Sequence, residues 1–85
     1  MPQPPRAVAL VTGGASDIGQ ACLKRLASDG TTAVAGWRST EPPSGPAVRF
    51  DTTDADAVRA ALDQIEATWG PVDTVVANAG FAHLD

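Results

Sequence analysis

Tyrosine is absent from this 85-residue chain, and cysteine, histidine and lysine occur once each, as Cys22, His83 and Lys24. A single cysteine excludes an internal disulfide. Cys22 also falls on the apolar side of a helical pattern, where a thiol packs as a small hydrophobe. His83 has no HxxxH, CxxC or paired-carboxylate pattern to complete a metal site, so it is read as structural or solvated and no metal is expected. Basic residues are few and scattered: Arg6, Lys24, Arg25, Arg38, Arg49 and Arg59 lie along a chain of net charge −4. That distribution offers no patch to nucleic acid or to an anionic membrane. The apolar run after the start MPQPPR is too short for a secretory core or a membrane span, and a cytoplasmic protein is the default expectation. Repeats and low-complexity tracts are also lacking, which argues against solenoid architectures.

What remains is an ordinary globular composition, 44% hydrophobic and 19% charged, in a chain long enough for one small domain. A domain of that size buries only about 60% of its unfolded surface and is marginally stable. Residues 1–6 read as a disordered, proline-rich arm, and residues 7–85 as the domain.

The chain is organised around AVALVTGGASDIG, residues 7–19. Its apolar stretch lacks polar alternation, as expected of a strand buried on both faces of a parallel sheet. Gly13 and Gly14 permit a sharp turn and a close ligand approach. Ser16 or Asp17 then caps a helix over about residues 17–29, with Ile18, Cys22, Leu23, Leu26 and Ala27 as its apolar stripe. Gly30 stops it. The free N–H groups and positive end of such a helix are suited to a phosphate.

A second strand is expected over residues 31–37. The loop 38–46, RSTEPPSGP, has too many prolines for a helix and leaves one sheet face less covered. A third short strand covers residues 47–50. Asp54 caps a second helix whose stripe is Val58, Leu62, Ile65 and Trp69, ending at Gly70-Pro71. A fourth strand covers residues 72–77. Right-handed crossovers give an α/β fold with a parallel sheet of about four strands in the order 3-2-1-4 and helices on both faces. Ligands then bind where the winding reverses, between the first and fourth strands. Val72, Val75 and Val76 leave the fourth strand with an open apolar edge, open to pairing or aggregation.

Three segments together resemble the classical short-chain dehydrogenases/reductases: the Thr12-to-Gly19 turn, similar to Thr-Gly-x-x-x-Gly-x-Gly, Asp51 after the third strand, and Asn78-Ala79-Gly80 after the fourth. The resemblance runs from residue 7 to residue 80 and implies a partial Rossmann fold, the first third of that family. It implies that Thr12, Gly13, Ser16, Asp17, Ile18 and Gly19 form the pyrophosphate turn, with Thr12 steadied by the Asn78 segment. Asp51 would accept from the adenine amino group, with Thr52 beside the ring. Asn78 would support the sheet, Gly80 would let the ribose approach, and Ala79 between them belongs to the same cofactor-binding segment. Two departures stand out. Asp17 replaces the middle glycine, and Ala77 stands where a second asparagine is common.

A carboxylate at position 17 repels a phosphate unless it turns back to cap the helix, the arrangement expected here. At the end of the second strand the resemblance also implies a cofactor choice. No acidic residue is there to bind a ribose hydroxyl, whereas Arg38 and Ser39 suit a 2′-phosphate, so NADP(H) is favoured with NAD(H) possible. The family's catalytic tyrosine, its Tyr-x-x-x-Lys lysine and its serine have no counterparts here. The chain is therefore expected to be the nucleotide-binding part of an oxidoreductase, inactive alone. The alternatives are a non-catalytic dinucleotide-binding or docking module and an inactive gene fragment.

Overall fold

A computed structural model describes residues 7–78. Strand β1 (Val8–Thr12) is followed by helix α1 (Asp17–Ser28), strands β2 (Thr32–Trp37) and β3 (Ala47–Arg49), helix α2 (Ala55–Thr68) and strand β4 (Val72–Val76). All strand pairs are parallel, in the order β3-β2-β1-β4. This is the expected topology.

Alternation along the central strands sorts their side chains between two helices. Val8, Leu10, Val34 and Val48 share one face with Phe50, where Ala61 and Ile65 of α2 complete the core. Val58, Leu62 and Trp69, the rest of the predicted stripe, pack against it half-buried. The opposite face carries smaller side chains, Ala9, Val11, Ala33 and Ala35, and α1 lies across β1 and β2 there. Small residues let that helix approach closely. Burial on both faces explains why β1 is apolar from Val8 to Val11.

Several expectations shift in detail. β1 keeps Thr12 inside the strand, and β3 and β4 each stop one residue sooner than predicted. The helix stripe of α1 is only partly used. Cys22, Leu23 and Leu26 are half-buried, while Ala27 is exposed and Ile18 is 68% exposed. Ile18 lies in the first turn of α1, beyond the end of β1, so no sheet lies beneath it.

The cap of α1 is a correction. Ser16, not Asp17, is the N-cap: its hydroxyl accepts from the Gly19 N–H, and Asp17 is the first helical residue. The reason is geometric, because a cap needs extended backbone and Ser16 has it, at φ −74° and ψ 163°. Asp54 caps α2 as expected, accepting from the Asp56 and Ala57 N–H groups. Residues 38–46 contain no helix. β4 has β1 as its one strand neighbour among the described residues, and Val75 is 57% exposed.

Candidate functional site

The turn between β1 and α1 sits at the C-terminal end of the sheet. Gly13 holds φ at 66°, a conformation that a residue with a Cβ adopts only with strain. A Cβ on Gly19 would overlap the Gly13 carbonyl oxygen, so α1 starts hard against the turn. Gly14 donates its N–H to the Gly36 carbonyl at 3.1 Å, tying the turn to the end of β2.

A network from the far end of the chain holds this turn. The Asn78 N–H donates to Thr12 Oγ1 at 2.9 Å. Its side-chain Nδ2 donates to the Gly13 carbonyl at 3.0 Å and to Ser16 Oγ at 2.9 Å. Thr12 Oγ1 in turn lies 3.4 Å from the Val76 carbonyl. Thr12 and Asn78 thus cross-link the ends of β1 and β4, where the ligand crevice is expected. Ser16 is the hub. Its proton goes to the Gly13 carbonyl at 2.9 Å, and its oxygen receives both Asn78 Nδ2 and the Gly19 N–H. A hydroxyl has one donor and two acceptor sites, so all three are engaged.

Free backbone donors remain at the mouth of the turn. Among the described residues, the N–H groups of Asp17 and Ile18, first in α1, meet no acceptor. Such orphan donors at the positive end of a helix fit an anionic group. The exposed Asp17 carboxylate is at the same end and opposes it. The structure therefore fits a phosphate in shape and donors, with a charge conflict at one residue.

The second cluster lies beyond β2 and β3. Asp51 Oδ1 accepts from the Thr53 N–H at 2.9 Å and from its hydroxyl at 2.7 Å. Arg38 Nη1 lies 3.7 Å from Asp51 Oδ2. The Thr53 hydrogen bonds, led by the hydroxyl, hold the Asp51 carboxyl below the ordinary aspartate range, and Arg38 adds to them. A depressed folded pKa means that Asp51 contributes stability above its unfolded pKa of about 3.9 and loses it as pH falls further. In acid titrations of Asp51→Asn against wild type, the stability difference is expected to stay constant above about pH 5 and to close below about pH 4. A gap unchanged down to pH 2 would contradict the assignment.

Thr53 was not singled out from sequence, although Asp-x-Thr is a recognisable turn signal. Gln20, whose Nε2 donates to the Gly14 carbonyl, was also missed. Ser39 and Thr52 are exposed. Ala79, Gly80 and His83 lie outside the described residues, as does the arm 1–6. Among the described residues no three His, Cys, Asp or Glu side chains could hold a metal ion, and no helix is long and apolar enough to cross a membrane.

Comparison with known proteins supplies the remaining observation. A family model described as short chain dehydrogenase matches residues 7–85. The 3-oxoacyl-[acyl-carrier-protein] reductase MabA of Mycobacterium tuberculosis is 43% identical over 74 residues, covering 86% of this chain and 30% of the reductase. Cis-4-hydroxycyclohexanecarboxylate dehydrogenase of Sinomonas cyclohexanicum is 41% identical, with 88% of this chain and 34% of that enzyme covered. Among solved structures, ligand-free aldohexose dehydrogenase of Thermoplasma acidophilum superposes with a TM-score of 0.80 at 28% identity, over 89% of this chain and 30% of that one. A blue fluorescent protein from a metagenomic library, in complex with NADPH, gives 0.77 at 33% identity, over 91% and 37%. The chain spans about a third of the length of the curated relatives it matches.

Proposed function

The chain belongs to the short-chain dehydrogenase family, and from that premise we propose that it is the nucleotide-binding N-terminal part of an oxidoreductase that prefers NADP(H) to NAD(H). One observation carries the reading: Asn78 meets Thr12, Gly13 and Ser16, residues 66, 65 and 62 positions away. Two segments so distant gain from meeting at a strand-end crevice if a ligand is held there. In this reading the Asp17 and Ile18 N–H groups face the pyrophosphate, and Gly13 and Gly19 keep side chains out of its way. Ser16 and Thr12 hold the turn in shape. Asp51 and Thr52 receive the adenine, Ala79 and Gly80 border the ribose, and Arg38 and Ser39 take the 2′-phosphate. The NADPH complex of a structural relative supports the cofactor class.

The bound nicotinamide would supply or accept the hydride in carbonyl–alcohol interconversion. These 85 residues contain no tyrosine, so the acid/base step is assigned outside them. A second reading, a non-catalytic module that docks through β4, is supported by the exposed Val75. A cytoplasmic setting goes with either, since the lone Cys22 thiol suits a reducing compartment.

Calorimetric titration with NADPH and NADH tests the proposal. NADPH is expected to bind about 10-fold more tightly, the value of one charge-assisted contact at a surface arginine, and Arg38→Ala should remove that difference. Equal affinities in the wild-type chain would overturn the NADP(H) preference, and binding of neither would overturn the nucleotide reading. Carbonyl reduction by the 85 residues alone would overturn the placement of the catalytic step.

A further inference from the structure

The geometry points to Arg49 as a further specificity-determining residue, a positioning group that fixes the backbone carrying Arg38 and so favours adenosine phosphorylated on its 2′-oxygen. The inference rests on the nucleotide-binding reading above.

Arg49 ends β3 directly opposite Trp37, the last residue of β2. Its guanidinium carbon lies 5.4 Å from the centroid of the Trp37 ring, within cation–π range. Its Nε donates to the Arg38 carbonyl at 3.1 Å. That carbonyl belongs to the first residue past the strand, at the start of the irregular segment 38–46. Arg49 therefore extends the hold on the β2 end by one residue beyond the last backbone bond, from the Phe50 N–H to the Trp37 carbonyl at 2.8 Å. With its main chain held, Arg38 directs its guanidinium to Asp51 at 3.7 Å.

The cluster is also suited to an anion. Two guanidinium groups sit at adjoining strand ends against one carboxylate, Asp51, which pairs with Arg38, so the cluster keeps a net positive charge. Both contacts of Arg49 depend on a guanidinium: a planar face for the ring and a fixed Nε–H for the carbonyl. A lysine keeps the charge and loses that combination.

The test uses two mononucleotides that differ only in where the single phosphate sits, adenosine 2′-monophosphate, whose phosphate reaches the Arg38 end of the site, and adenosine 5′-monophosphate, whose phosphate lies toward the turn. Each is titrated into the wild-type chain, Arg38→Met, Arg49→Met and Arg49→Lys. The readout is the ratio of the two affinities, in which any change in the folded fraction cancels. Wild type is expected to favour the 2′-phosphate. Arg49→Met should lower that preference by about 3- to 10-fold, and Arg49→Lys should not restore it. A wild-type ratio in Arg49→Met, or full recovery in Arg49→Lys, would overturn the positioning role. If Arg38→Met alone loses the preference, the cofactor reading stands and this inference fails. If the wild-type chain binds neither mononucleotide, both fail.

Discussion

Replacing Asp17 by glycine is expected to raise dinucleotide affinity by between about 5- and 1,000-fold. The range follows from Coulomb's law for a carboxylate about 4 Å from one phosphate charge: about 1 kcal/mol if water screens it fully and about 4 kcal/mol at the effective dielectric near a protein surface. The exposure of Asp17 favours the lower part of this range. No described residue other than glycine has positive φ, so position 17 does not require glycine for its backbone. The conflict there is one of charge and room.

The same substitution should lower the melting temperature. Asp17 is an acid in the first turn of α1, where a negative charge complements the helix dipole by roughly 0.3–1 kcal/mol. Glycine in place of aspartate in the helix adds about 0.3 kcal/mol more through backbone entropy. Affinity and stability should therefore move in opposite directions. Asp17→Asn separates the causes, since it removes the charge and keeps a side chain of similar size. Titration and thermal melting of the three proteins measure both effects. If neither substitution changes affinity, Asp17 does not face the phosphate and the turn is occupied in another way.

Ile65→Ala is expected to remove a large share of the chain's stability. Ile65 is 0% exposed at the centre of the core that α2 forms with β1, β2 and β3. Removing three buried carbons and leaving a cavity costs about 2–5 kcal/mol. At about 0.05–0.15 kcal/mol per residue, a chain of this length has roughly 4–13 kcal/mol in total. The loss is thus a large fraction of the whole. Val75→Ala is the control, because a side chain 57% exposed on β4 should change stability by no more than about 0.5 kcal/mol. Urea unfolding followed by circular dichroism gives both values. Equal effects at the two positions would mean that α2 does not seat on the sheet as described.

These substitutions mark where local pattern suffices and where it does not. The valine- and alanine-rich strands, the stripe of α2, the Asp54 cap and the proline-rich loop were all legible. Each depends on residues within a turn or two of one another. Even the strand order could be derived, because the handedness of crossovers leaves few arrangements for parallel strands joined by two single helices and one short loop. Ile18 misled the pattern. Its spacing matched the stripe of α1, yet the sheet ends below it and it remains 68% exposed.

The site divides in the same way. Sequence by itself determined the Thr-Gly-Gly turn, the helix it feeds and the acidic residue that stands in it, since φ, capping capacity and charge are properties of single residues. Tertiary structure decided which residue caps α1, because Ser16 Oγ is also held by Asn78 across 62 positions. It decided that Arg38 faces Asp51 and that Arg49 holds the Arg38 carbonyl, 13 and 11 positions apart. A side chain's conformational preference is local. Its partners are set by which strands lie side by side and in what register, and only the assembled sheet brings those ends together.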